Sequence, residues 1–305
     1  MKKFLTDFIP LDDPGRVFEE ICYLIGDIYP GFDFSQIYTV YGDVLRIFNG
    51  KDKRFKPCNT EYHDLRHTTD VTIAATRLIH GAVSEGKKLE KKNVSLAVCS
   101  ALLHDIGFIQ KREDDDGTGA KFTLDHVARG IEFTQNYFES KSYPADDFKK
   151  TAQMILCTDM DMDLSEINFA SDDILFLSKI VGSADLLGQM ADRAYLEKLL
   201  FLYREWKDGN IPGPSTELEL LKNTISFYNA VQERLSGTLD NVQKYMKSHF
   251  IRRWHTNKDY YRESIEKNIS YLKYLMEYHK KDYKNYLRRN GIVKQIEKKL
   301  PGKSS

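Results

Sequence analysis

The segment Leu96-Ala97-Val98-Cys99-Ser100-Ala101-Leu102-Leu103 is apolar on almost every face of a helix, and it runs directly into His104-Asp105. A helix apolar all round is a buried one, so the imidazole and carboxylate at its end must find partners in the interior. Asp185 repeats the constraint: Ile174, Leu177 and Val181 precede it on one helical face and put its carboxylate on the inward stripe. Burying such a group unpaired costs several kcal/mol or forces its neutralisation, whereas a divalent cation removes the penalty. His63 and His67, spaced i and i+4, place two further imidazoles on one helix face about one turn apart. Mixed His/Asp ligation suits Zn²⁺, Mn²⁺, Fe²⁺ or Mg²⁺ rather than a soft-metal site.

Helical periodicity extends along the whole chain. The first helix follows Asp12-Asp13-Pro14, a cap with a first-turn proline. Further helices are expected over about 35–48, 64–83, 93–106, 124–139, 145–157, 172–206, 215–235, 239–253 and 258–298. Convincing period-2 strands are absent, connections are short and no Ser/Gly linker separates two cores. The expectation is an all-α multi-helix bundle with three parts. These are an N-terminal helical subregion (1–54), a metal-binding core (55–206) and a C-terminal helical subregion with a basic, Tyr-rich tail (207–305).

Composition excludes several classes. With 305 residues, 41% of them hydrophobic, and 45 Lys+Arg against 45 Asp+Glu, the chain has the make-up of a globular protein rather than a disordered tail. No run reaches the roughly 18 continuous apolar residues that span a bilayer, and the start carries no apolar signal region, so a cytoplasmic protein without a membrane partner is expected. The cysteines Cys22, Cys58, Cys99 and Cys157 lack C-x-x-C spacing and fit a reducing compartment. The neutral total hides a polarity: from Asn241 to Ser305 there are 17 Lys/Arg and six Asp/Glu, which leaves that segment near +11.

The order His67…His104-Asp105…Asp185 resembles the HD superfamily of metal-dependent phosphohydrolases. Tyr62 to Val71 is similar to the Y-H-N-x-x-H-A-x-D-V signature of cyclic nucleotide phosphodiesterase catalytic domains, with Asp64 for Asn and Thr68 for Ala. Met154 to Met160 resembles that family's V-L-A-T-D-M, and Ala184-Asp185-Leu186 its A-D-L. The resemblance covers about residues 55–205. It implies an HD-domain, phosphodiesterase-like fold and two divalent metal ions. His67, His104, Asp105 and Asp185 would hold the first ion, and Asp105 would bridge to the second. It further implies hydrolysis of a nucleotide phosphodiester by a metal-activated water, with His63 as proton donor to the leaving oxygen. A nucleotidase, a nucleoside-triphosphate hydrolase and a non-catalytic metal- or nucleotide-binding regulator are the alternatives.

The chain also departs from the family pattern. Phe108 stands where H-D-x-x-H has its second His. If Asn223 to Phe227 corresponds to the family's S-Q-V-G-F, Thr224 replaces the purine-gripping Gln while Phe227 keeps the base-stacking ring. His126, four residues before Gly130, is either a further metal or phosphate contact or a satisfied core histidine. Tyr62, Thr158, Asp159 and Met160 are candidates for the substrate pocket. Asp159-Met160-Asp161-Met162-Asp163 fails as a calcium loop, because Leu164 and Ala170 occupy its required Gly and Glu positions. Glu113 to Gly117 reads as a solvated turn. The tail tyrosines fit a helix packed on its own domain or on a second subunit in a homodimer, in preference to nucleic acid.

Overall fold

The computed structural model describes residues 4–299. Twelve α-helices follow in order: α1 (Pro14–Ile28), α2 (Ser35–Phe48), α3 (Leu65–Ser84), α4 (Lys91–Leu103), α5 (His126–Ser140) and α6 (Ala145–Leu156). After these come α7 (Asp172–Ala191), α8 (Tyr195–Asp208), α9 (Glu217–Ser236), α10 (Tyr245–Trp254), α11 (Tyr260–Tyr278) and α12 (Ile292–Lys299). The architecture is all-α, and the single extended pairing among the described residues is an isolated bridge between Phe55 and Lys111.

The hub is α3, which packs against α1, α4, α7 and α10. Every residue from His67 to Ala82 is buried, although the stretch contains threonines, Asp70, Arg77 and His80. The threonines survive there because their hydroxyls are consumed within the helix. Thr69, Thr72 and Thr76 donate their hydroxyls to the carbonyls of Arg66, Thr68 and Thr72 at 2.8–3.0 Å. Arg77 donates to the Tyr261 hydroxyl at 3.0 Å and lies against the rings of Tyr261 and Phe250. The apolar run of α4 is buried throughout from Asn93 to Leu103, as its composition requires.

Three expected helices are interrupted. The 172–206 stretch breaks after α7, where Asp192 adopts extended ψ and its carboxylate accepts the Ala194 N–H at 2.9 Å, so the chain turns before α8. The 258–298 stretch ends at Tyr278, and left-handed residues Asn290 and Gly291 separate the remaining turns from α12. The 239–253 stretch opens as a short 3-10 turn and becomes α-helical at Tyr245. Tail tyrosines pack on the chain itself: Tyr260 and Tyr261 are buried, Tyr271 donates to the Tyr286 carbonyl at 3.0 Å, and Tyr283 donates to Glu217 at 2.9 Å. Tyr274 and Tyr278 remain exposed. Residues 1–3 and 300–305, the ends of the expected N-terminal and C-terminal subregions, lie outside the described residues.

By length and composition α7 would suffice to cross a membrane, and 72% of that apolar window is buried inside the protein. Its apolar faces serve the contacts with α3, α4 and α6. The four cysteines are free thiols.

Helix α10 crosses α3 at Gly81, where an added Cβ would lie 1.9 Å from the Tyr245 carbonyl oxygen. Backbone cannot yield as a side-chain tip does, so Gly81→Ala should cost about 1–3 kcal/mol of stability. Chemical denaturation measures this directly, and an unchanged midpoint would mean that α10 does not sit against α3 as described.

Candidate metal centre and cleft

The α3 N-terminus is set by Asp64, whose carboxylate accepts the His67 N–H at 2.8 Å. That cap starts the helix at Leu65, so His63 lies in the turn before α3 and not on its face as the i, i+4 spacing suggested. The two rings still meet, with centroids 6.0 Å apart. His104 terminates α4, Asp105 follows it, and Asp185 projects from α7.

These side chains converge. His67 Nε2 lies 3.4 Å from His104 Nε2, 3.3 Å from Asp105 Oδ2 and 3.2 Å from Asp185 Oδ1. His104 Nε2 lies 3.2 Å from Asp105 Oδ2 and 3.6 Å from Asp185 Oδ1. Ligand atoms about 2.0–2.2 Å from one ion lie roughly 3.0–3.5 Å apart around it, which is the spacing found here. His67, His104 and Asp185 form the cluster able to hold a metal ion, and Asp105 stands against both of its imidazoles.

Proton bookkeeping points the same way. His104 donates Nδ1–H to the Ala101 carbonyl at 2.9 Å, which leaves an Nε2 lone pair facing two carboxylates. Asp105 Oδ2 is buried without a properly formed hydrogen bond. Lone pairs meeting in a buried space repel unless a cation sits among them. In the metal-free chain protons take that role. Burial favours the neutral imidazole, yet the Asp105 and Asp185 carboxylates outweigh it and push His67 up to about 10. His104 is raised against burial by the same carboxylates, chiefly Asp105.

Around the cluster opens a cleft of about 770 Å³. Glu205 of α8, buried, accepts from the backbone N–H of Tyr62 and pairs with His63 Nδ1 at 2.8 Å. His63 Nε2 is thereby left for the cleft. Phe108 stacks on the His63 ring at 4.3 Å and on the His126 ring at 4.5 Å, and the two imidazoles themselves lie 6.4 Å apart. His126 donates Nδ1–H to the Thr123 carbonyl at 2.7 Å, and its Nε2 is 3.9 Å from Asp105 Oδ1. The close approach beside it is made by Gly107, where a Cβ would lie 1.9 Å from the His126 carbonyl oxygen. At Gly130 a Cβ would lie 3.3 Å from the His104 carbonyl oxygen, a looser contact.

Thr158, Asp159 and Met160 line the cleft on the loop after α6, and Phe227 lines it from α9. Tyr62 closes the floor and donates its hydroxyl to Gln189 at 2.8 Å. Thr224 does not line the cleft; it is buried and returns its hydroxyl to the Leu220 carbonyl at 2.9 Å. Two residues carried no local signal in the sequence. Glu205 is one, and Arg234 is the other: its guanidinium binds the carbonyls of Cys157, Asp159 and Met160 and so fixes the cleft loop.

The raised His67 value sets the sign of a test. Stability that its proton contributes is complete below about pH 6.5, the ordinary imidazole value, and is lost as pH rises to about 10. A divalent ion displaces that proton, so added Zn²⁺ or Mn²⁺ should raise the melting temperature more at pH 8.5 than at pH 6.5, roughly as proton competition falls. Equal shifts at both pH values, or none, would argue against a cation at this cluster.

Comparison with protein families, with curated proteins and with solved structures finds no match to this chain. The fold is all-helical, and its buried His/His/Asp cluster is compatible with an HD-type metal centre.

Proposed function

We propose that the chain is a metal-dependent phosphohydrolase that hydrolyses a nucleotide phosphodiester. The observation that carries this reading is the juxtaposition, in one cleft, of a four-residue donor set, with Asp185 half-buried and the other three buried, and an imidazole held outside it by its own carboxylate. His67, His104, Asp105 and Asp185 would hold the first ion. Asp105 Oδ1 and His126 Nε2 face each other on the other side of that carboxylate, where a second ion would be shared. Bound divalent ions supply Lewis acidity toward phosphoryl oxygens and lower the pKa of a coordinated water.

The chain's own residues do the rest. Glu205 fixes His63 with Nδ1 turned inward, so a proton carried on Nε2 faces the cleft and is available to a departing oxygen. A purely structural metal site has no need of that pair. Leu186, Leu202, Trp206 and Phe227 provide an apolar wall for a base, which explains recognition without the family's glutamine.

The cleft lining supports a diester over a triphosphate. It contains no Lys or Arg, whereas Asp125, Asp159 and Asp161 all border it. A phosphodiester brings a single negative charge past these carboxylates; a triphosphate brings several and meets no cationic side chain.

The test is turnover of 3′,5′-cyclic AMP and GMP, cyclic dinucleotides, nucleoside monophosphates and triphosphates with Mn²⁺ or Mg²⁺, with products resolved by chromatography. Diester opening to a monophosphate is expected, abolished in Asp105→Ala. His63→Ala should lower kcat by about 10²–10⁴-fold, and Glu205→Gln by roughly 10–100-fold. Phosphate release from acyclic nucleotides alone would reassign the enzyme as a nucleotidase. Absence of any turnover would favour a binding role.

A further inference from the structure

A second cavity, of about 140 Å³, lies between the N-terminal residues, α3, α7 and α11. Two of its lining residues, Asp70 and Gly188, stand three positions beyond His67 and Asp185, so it abuts the helices that carry the metal cluster. A cavity of about 150 Å³ accommodates one six-membered ring. Leu5, Leu11, Ala191 and the ring of Tyr261 give this one apolar walls.

Two of its lining residues carry an unsatisfied donor and an unsatisfied acceptor. Arg66 and Asp70 are one turn apart on α3, with Arg66 Nε 3.6 Å from Asp70 Oδ2, beyond hydrogen-bond reach. Arg66 Nε and Asp70 Oδ1 are both buried without a hydrogen-bond partner, and Asp70 is only 5% exposed. An orphaned pair of this kind costs free energy, and one ligand edge that supplies an acceptor and an N–H together offsets that cost once the two side chains turn toward the cavity. Every nucleobase offers such an edge.

The mouth is cationic. The Arg193 guanidinium and the Lys267 ammonium each stand 5.4 Å from the ring of Phe4, which is itself exposed. Arg193 has no carboxylate within ion-pair distance among the described residues, and the partner of Lys267 is Glu263, at 3.6 Å on the surface. Arg289 is anchored by Asn268 at 3.2 Å and adds a third cation. Of the two carboxylates in the lining, Asp192 is already paired with Lys198 at 2.6 Å, which leaves the cavity attractive to an anion.

We propose that this cavity is a second ligand site that takes a nucleoside monophosphate, its base against Arg66 and Asp70 and its phosphate at the Arg193–Lys267–Arg289 mouth. The assignment stands apart from the catalytic reading, because none of these residues belongs to the metal cluster or the cleft lining. Occupancy would brace α3 against α7 next to His67 and Asp185, which makes the site a place for an effector.

Calorimetric titration of GMP, AMP, UMP and inorganic phosphate into the full chain in excess chelator tests it, since chelation removes metal-dependent binding in the cleft. At least one nucleoside monophosphate should bind more tightly than phosphate. Arg193→Glu combined with Lys267→Glu, both exposed and outside the core, should weaken it by about tenfold or more. Asp70→Asn should weaken the nucleotide while leaving phosphate unaffected, with thermal melts confirming that each variant is folded. Three results would overturn the proposal: no binding by any monophosphate, phosphate binding as tightly as the nucleotides, or unchanged affinity in the double variant.

Discussion

The mutual repulsion of four buried acceptor groups is the constraint around which this structure is organised. Asp105 and Asp185 point into a space shared with the ring nitrogens of His67 and His104, at separations of 3.2–3.6 Å. Among the described residues Asp105 Oδ2 has no hydrogen-bond partner, so protons or a cation at the centre are needed to offset the repulsion. Because the groups come from α3, the end of α4 and α7, such a cation is also a cross-link between helices that otherwise hold together by apolar packing. Cation binding at the centre and the stability of the fold are therefore linked.

The surrounding fold isolates that centre. Burial of α3 on all sides requires that its threonine hydroxyls be satisfied within the helix, and their back-bonds to Arg66, Thr68 and Thr72 do this. Asp64 completes the arrangement at the helix start. Its cap on the His67 N–H fixes the first turn and orients the residue that contributes the most central nitrogen of the cluster. The position occupied by Asn in the resembled signature thus has a mechanical role that Asp performs equally well.

What the sequence made legible was whatever is anomalous locally. His104-Asp105 at the end of an apolar run, and Asp185 on an apolar stripe, stand out because polar groups in such settings need partners, and both do reach the cluster. Glu205 and Arg234 were illegible for the opposite reason. Each sits on an amphipathic helix where a charged residue is ordinary, and each acts across a long separation, Glu205 on His63 and Arg234 on the 157–160 loop. The break at Asp192 was hidden as well, since Asp-Arg-Ala is compatible with a continuing helix; capping of the Ala194 N–H and the pairing with Lys198 decide the turn. The full burial of α3 was masked by threonines that look polar in sequence and behave as saturated groups in the helix.

The departure at Phe108 and the presence of His126 are two aspects of one arrangement. Where the resembled H-D-x-x-H motif has its second imidazole, this chain has a phenyl ring lying nearly parallel to both His63 and His126. Phe108 offers neither a ligand atom nor a proton. It does limit the rotation of both neighbours, and each of those rings is also tied through Nδ1, His63 to Glu205 and His126 to the Thr123 carbonyl. Two imidazoles with one nitrogen tied back and one face packed can vary little in where Nε2 points. The imidazole of His126, at the start of α5, comes within 3.9 Å of Asp105, beside the close backbone approach of Gly107 to the His126 carbonyl.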